Sequence, residues 1–143
     1  MSQETTRREF IAGACAIATL AFSGLAAIAP AEAATGIKRR SDGRVAVTVS
    51  AISALSKNGG SVSLGTVKGN PVALVRVNAT TYRAFNLRCT HEGVTVKKSG
   101  SKFVCPEHGA QFTAATGGVT RGPAGRNLAK VKVVFTNGVA VVG

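Results

Sequence analysis

From residue 45 to the C-terminus, apolar side chains come in short runs of four to seven residues, each cut off by turn-forming residues. The runs are Val45–Val49, Ser61–Leu64, Val72–Val77, Tyr82–Asn86, Lys102–Cys105, Ala129–Phe135 and Val139–Val142. They are rich in Val and too short for amphipathic helices. Lys130-Val131-Lys132-Val133 alternates with the period of two that a half-buried strand requires. Asn137-Gly138, between the last two runs, suits a two-residue hairpin, because both positions of that turn need positive φ. Asn78-Ala79-Thr80 and Ser99-Gly100-Ser101 separate further pairs, and Gly59-Gly60, Gly69-Asn70-Pro71 and Gly117-Gly118 mark other breaks. Only Ser50–Ser56 reads as a short helical turn. Strands at roughly ten-residue intervals predict an all-β domain, a sandwich or a small barrel.

Residues 1–33 carry a different pattern. Arg7-Arg8 stand before Phe10-Ile11, no charge occurs from Phe10 to Ala31, and the stretch closes on Ala31-Glu32-Ala33. A basic front, an apolar middle and a small-residue end form the secretory pattern. The arginine pair makes it resemble a twin-arginine export signal, which implies passage of an already folded protein. Phe10–Ala31 is 22 residues long, and about 20 suffice to cross a bilayer. The segment is therefore expected either to be cleaved after Ala33 or to stay as an N-terminal membrane anchor. Both place the domain beyond the cytoplasmic membrane: periplasmic, extracellular, or tethered and facing outward. Residues 34–44 are polar and basic and read as a linker, leaving 45–143 as the folded domain.

Composition narrows the chemistry. The 143 residues amount to one domain. Mean hydropathy is +0.20 and 45% of residues are hydrophobic, which excludes a disordered chain. Aromatics make up only 5%, so the core should be thin and built of small side chains. Three cysteines are too few for a disulfide scaffold. There is no haem-attachment Cys-x-x-Cys-His, no dinucleotide-binding glycine fingerprint and no phosphate-binding loop. The formal net charge is +12, and residues 34–143 keep sixteen basic side chains against Asp42, Glu92 and Glu107. Export and the lack of interleaved aromatics argue against a nucleic-acid partner.

Both histidines and two of the three cysteines lie in two short segments. The first is Leu87-Arg88-Cys89-Thr90-His91-Glu92-Gly93-Val94. The second is Val104-Cys105-Pro106-Glu107-His108-Gly109-Ala110-Gln111-Phe112. The pattern is Cys-x-His, thirteen residues, then Cys-x-x-His. Each segment follows a predicted strand, and a hairpin within 94–105 would bring the two together. Thiolates are soft, charged donors and imidazoles are neutral ones, so both suit iron or zinc. A binuclear iron–sulfur cluster takes two protein ligands per iron. With two Cys on one iron and two His on the other, the irons become inequivalent and the reduction potential rises. A structural zinc site would accept the same four donors, but zinc fingers pair Cys with Cys and His with His at close spacing. Here each segment offers one of each.

Cys89-Thr90-His91-x-Gly93 and Cys105-Pro106-x-His108-Gly109 resemble the paired motif of the Rieske 2Fe–2S proteins. The resemblance continues through Ala115-Thr116-Gly117-Gly118 and Gly122-Pro123-Ala124, where that family has a turn and a proline loop over the cluster. It implies a β-sandwich with a small cluster-binding subdomain formed by two loops, and one Rieske-type 2Fe–2S cluster per chain. It further implies that Cys89 and Cys105 hold a buried iron while His91 and His108 hold an outer iron near the surface. Both histidines are then used, so a second, mononuclear iron has no ligands in this chain, and catalysis must lie elsewhere. The expected activity is one-electron transfer by an exported carrier or redox subunit, the alternative being a Rieske subunit of a cytochrome bc-type or molybdenum oxidase complex.

The quinol-oxidising members resemble this motif but add a disulfide cysteine in each loop, at the places of Val94 and Glu107. They also carry a Ser and a Tyr that donate hydrogen bonds to cluster sulfur, at the places of Ala110 and Phe112. Hydrogen bonds to sulfur favour the more negative, reduced state. Their absence, with Glu107 adding negative charge, implies a potential in the lower to middle part of the family span of about −150 to +300 mV. Arg83, Arg88, Lys97, Lys98 and Lys102 surround the two segments in sequence. They read either as a patch that steers an acidic redox partner, such as an acidic cytochrome or oxidoreductase subunit, or a membrane surface, or as a merely solvated face. Membrane association would otherwise run through residues 10–31.

Overall fold

A computed structural model describes residues 36–143, so both readings of residues 1–33 lie outside the described residues. The described chain is nearly all β, with the strands β1 (Ile37–Arg39), β2 (Val45–Thr48), β3 (Ser61–Val67), β4 (Asn70–Arg76), β5 (Tyr82–Asn86) and β6 (Lys97–Ser99), then β7 (Lys102–Val104), β8 (Gln111–Thr113), β9 (Val119–Arg121), β10 (Lys130–Val131), β11 (Val133–Thr136) and β12 (Val139–Val142). They form three antiparallel sheets in the orders β1-β2-β12-β11, β10-β5-β4-β3 and β6-β7-β8-β9. Among the described residues no helix is long and apolar enough to cross a membrane.

The middle sheet, β10-β5-β4-β3, is apolar on both faces. Val62, Leu74, Ala84 and Val131 stand opposite one another across its four strands and pack with Val45, Val47, Ala140 and Val142 of the first sheet. The neighbouring row alternates to the other side, as the pleat demands. Its Ala73 and Phe85, with Val75 beside them, pack with Phe103 and Phe112 of the third sheet. Two cores result, one on each side of the middle sheet: that shared with the first sheet is mostly Val, Leu and Ala, whereas that shared with the third is built round Phe85, Phe103 and Phe112, larger side chains than the low aromatic content predicts. Cys89, Cys105 and Ala110 belong to the core shared with the third sheet, so the ligand loops are anchored in packed interior.

Strands β5 and β12 have the expected ends, and the Asn137-Gly138 turn has φ of 50° and 77°, as the tight hairpin requires. The Ser50–Ser56 turn is two short 3-10 turns, Val49–Ala51 and Ser53–Leu55. The single run Ala129–Phe135 is divided. Lys130–Val131 pairs with β5 and Val133–Thr136 pairs with β12, so the chain passes from one sheet to another at Lys132. The carbonyl of Lys132 accepts the Gly143 N–H there (3.0 Å), and Val131 and Val133 both keep to the core while Lys130 and Lys132 stay exposed.

The stretch 34–44, read as a linker, carries strand β1. Ile37 pairs with Val47 and Arg39 with Val45, and the Arg39 guanidinium donates to the carbonyls of Thr66 (2.8 Å) and Leu64 (3.1 Å) of β3. A three-residue edge strand with one apolar residue has no readable alternation. It is fixed by backbone pairing and by the arginine that ties two sheets together. Strands β8 and β9, also three residues each, escaped prediction, and β6 was expected only as an arm of the hairpin within 94–105.

Candidate metal centre

The two ligand loops are built on the same backbone frame. In the first, the Cys89 N–H donates to the Val94 carbonyl (2.7 Å) and the Gly93 N–H donates back to the Cys89 carbonyl (2.7 Å). In the second, the Cys105 N–H donates to the Ala110 carbonyl (2.8 Å) and the Gly109 N–H donates to the Cys105 carbonyl (3.0 Å). Each loop is closed by a glycine four residues after its cysteine, with φ of 77° at Gly93 and 72° at Gly109. That conformation costs other residues about 1–2 kcal/mol, which accounts for the glycine after each histidine. Strands β6 and β7 form the expected hairpin between the loops.

This frame sorts the four donors by depth. Cys89 and Cys105 are each 3% exposed and belong to the same packed core. The His91 and His108 side chains are 35% and 47% exposed. Their rings meet edge to face with centroids 5.2 Å apart. The structure thus places the two cysteines together in the packed core and the two imidazole rings together near the surface, with Glu92 beside the rings. Among the described residues both cysteines are free. Burial pushes the Cys89 thiol above its ordinary value, and the adjoining Cys105 pushes it the same way. The backbone N–H groups of His91 and Glu92 oppose this by donating to its sulfur. Those N–H groups are preplaced to stabilise a thiolate once a cation is there to hold it.

One feature was not legible in the sequence. Glu92 reaches both histidines, with its carboxylate oxygens 3.9 Å from His91 Nδ1 and 3.6 Å from His108 Nδ1. The loop frame folds the second histidine back onto the neighbour of the first, so it is Glu92 that meets the imidazoles. The first loop is also clasped by the chain leaving β9. The Thr90 hydroxyl donates to the Arg126 carbonyl (2.5 Å), Ala124 is buried beside the cysteines, and Asn127 Oδ1 accepts the Val119 N–H (3.0 Å). Of the predicted basic patch, Arg83 turns inward to the Ala115 carbonyl (3.1 Å), and Lys98 is drawn to the carbonyls of Gly59 and Gly100. Lys97 and Lys102 remain exposed on the third sheet.

Two buried cysteines and two exposed histidines on a matched pair of loops offer thiolate and imidazole donors, which suit iron or zinc. Comparison with known proteins agrees with that geometry. The family model of the Rieske [2Fe-2S] domain matches residues 45–132, and the chain belongs to that family. A Rieske-type 2Fe–2S cluster is accordingly its cofactor. The cytochrome b6-f complex iron-sulfur subunit of Trichodesmium erythraeum is 42% identical over 81 residues, 49% of this chain and 45% of that one. The chloroplastic subunit of Arabidopsis thaliana is 43% identical over 67 residues, 44% of this chain and 29% of that one. The chain thus spans about half the length, or less, of these curated relatives. Among solved structures, the plasma membrane Rieske protein PetC3 from Synechocystis PCC 6803 superposes with a TM-score of 0.53 at 36% identity, covering 59% of this chain and 86% of that one.

Proposed function

We propose that the chain is a one-electron carrier or redox subunit whose cluster is held by Cys89, His91, Cys105 and His108. The sorting of donors by depth carries this reading: buried Cys89 and Cys105 face exposed His91 and His108 across the same pair of loops. A bound [2Fe-2S] cluster supplies reversible one-electron chemistry. The chain's own residues do the remaining work. The core around Ala110 and Phe112, both fully buried, keeps water from the sulfur side. The backbone N–H groups of His91 and Glu92 stabilise charge on the Cys89 sulfur. The imidazoles, open to solvent, are where an electron passes to a partner.

The names of the curated relatives favour a subunit of a cytochrome b6-f-like complex as the second reading. Ala110, Phe112, Val94 and Glu107, standing where the quinol-oxidising type resembled above has its donors and disulfide, support the separate carrier. In either case residues 1–33 act as a twin-arginine signal or an outward-facing anchor, and the partner is a cytochrome or another oxidoreductase subunit beyond the cytoplasmic membrane. Stoichiometric titration of the purified holoprotein with dithionite and ferricyanide tests the reading. One electron per chain, with a reversible change in visible absorbance that His108→Ala abolishes, is expected. A protein that takes up no electron, or whose response survives His108→Ala, refutes it.

A further inference from the structure

We propose that the solvent-facing side of the β6-β7-β8-β9 sheet docks the acidic surface of a redox-partner protein, an inference that rests on the cluster reading of the ligand loops. Lys97 stands opposite Val104, Val104 opposite Gln111, and Gln111 opposite Arg121, one row across all four strands. Ser99, Lys102 and Thr113 make the next row on the same side. Directly opposed residues share a face, and the other face is fixed as the inner one by Phe103 and Phe112, which are buried. Lys97, Lys102 and Arg121 are therefore displayed together and all are exposed. With strands about 4.8 Å apart, the row from Lys97 to Arg121 spans about 14 Å.

Nothing among the described residues neutralises this face. Of the three acidic side chains of residues 36–143, Asp42 is paired with Arg40 and Arg44, Glu92 faces the two histidines, and Glu107, in the ligand loop beside this face, is in no ion pair with Lys97, Lys102 or Arg121. Lys102 is oriented by Gln111, whose Oε1 accepts from its ammonium at 3.0 Å. The position of the row matters as much as its charge. Val104 and Gln111 at its centre are the residues that flank the loop bearing Cys105 and His108. A partner gripped by Lys97 and Arg121 thus lies against one of the two ligand loops.

The face suits a protein better than a lipid surface. Val104 is its only apolar residue, and it offers no aromatic or long aliphatic side chain to insert among lipids. Cations interspersed with Ser99, Gln111 and Thr113 match the polar, charge-complementary rim of a transient protein interface. Steering of this kind raises association rates by about 10- to 1,000-fold at low salt.

The test uses reduced holoprotein and stopped-flow oxidation by a strongly acidic soluble c-type cytochrome at low ionic strength. The triple variant Lys97→Glu, Lys102→Glu, Arg121→Glu is compared with Lys38→Glu, Lys57→Glu, Lys132→Glu, which changes net charge equally on other parts of the surface. The expected result is a rate constant lowered about tenfold or more in the first triple and less than about threefold in the second, the wild-type rate falling as salt rises. Equal losses in the two triples, or no loss in the first, overturn the proposal. So does wild-type binding to phosphatidylserine–phosphatidylcholine vesicles that the first triple abolishes while its cytochrome rate is unchanged, which assigns the face to a membrane. Oxidation by ferricyanide and the visible spectrum are recorded throughout. A wild type that ferricyanide cannot oxidise fails the cluster reading, whereas normal ferricyanide oxidation with indistinguishable triples fails only the docking face.

Discussion

Replacing Ala110 by serine should raise the reduction potential of the cluster by about 45 mV. Ala110 is fully buried in the core that contains Cys89 and Cys105, and its carbonyl accepts the Cys105 N–H at 2.8 Å. A hydroxyl placed there finds no bulk water, and it sits at the position where the quinol-oxidising type resembled above carries its serine donor to cluster sulfur. A hydrogen bond to a charged acceptor is worth about 1.5–3 kcal/mol, against about 0.5–1.5 for a neutral one. Each added electron moves the sulfur toward the charged case, so the reduced state gains about 1 kcal/mol more than the oxidised state. For one electron, about 59 mV corresponds to about 1.4 kcal/mol, which gives the stated shift. Spectroelectrochemical titration of wild type, Ala110→Ser and Ala110→Gly measures it. The glycine variant removes the methyl without adding a donor and should stay within about 15 mV of wild type. An unshifted or lowered potential in Ala110→Ser, or the same rise in Ala110→Gly, refutes the assignment of this position to the sulfur side.

Glu92→Gln should raise the potential by about 40 mV, because a carboxylate 3.6–3.9 Å from both imidazoles is worth about 1 kcal/mol in water-like surroundings; the same titration checks it, and a fall would be contrary. Gly117→Ala should destabilise the fold by about 2–5 kcal/mol in urea unfolding, summing a left-handed backbone with overpacking. Gly117 has φ +72°, and its new Cβ would lie 2.7 Å from the buried Phe85 ring; a loss under about 1 kcal/mol would be contrary. The Arg44 backbone N–H, with its guanidinium and that of Arg40, holds the Asp42 carboxyl below the ordinary carboxylate value. A lowered folded-state value stabilises the fold above the unfolded value of about 4, and this is lost as pH falls through the lowered one. Asp42→Asn should therefore flatten the acid limb of stability measured by chemical unfolding from pH 5 to 3, and leave its shape above that range unchanged.

The four proposed donors stand out in the sequence because they sit in two short segments, each with a cysteine, a histidine and a closing glycine in fixed order. Strands such as Tyr82–Asn86 and Val139–Val142 were legible because short runs rich in apolar residues are bounded by turn-forming residues. The third sheet was mostly illegible. Its strands are three residues long, which is less than two periods of the pleat, and Lys97–Ser99 has no apolar residue at all. Such strands are held by register and by the core beneath them rather than by their own composition. Arg121 joins Lys97 and Lys102 only because β9 shifts register against β8 between Gln111 and Phe112, an irregularity that no pattern of types announces. Glu92 meets both imidazoles for a similar reason, since it takes the closure of two separate loops to place His108 beside it.

The central claim is that an inner sulfur pair and an outer imidazole pair hold one cluster, and iron and acid-labile sulfide analysis combined with EPR of the reduced protein tests it most directly. Two irons and two sulfides per chain are expected for the [2Fe-2S] domain, with a signal whose nitrogen hyperfine coupling is lost in His91→Ala and His108→Ala. Zinc-loaded, colourless protein, or nitrogen coupling that persists when His91 and His108 are both replaced by alanine, would contradict the account.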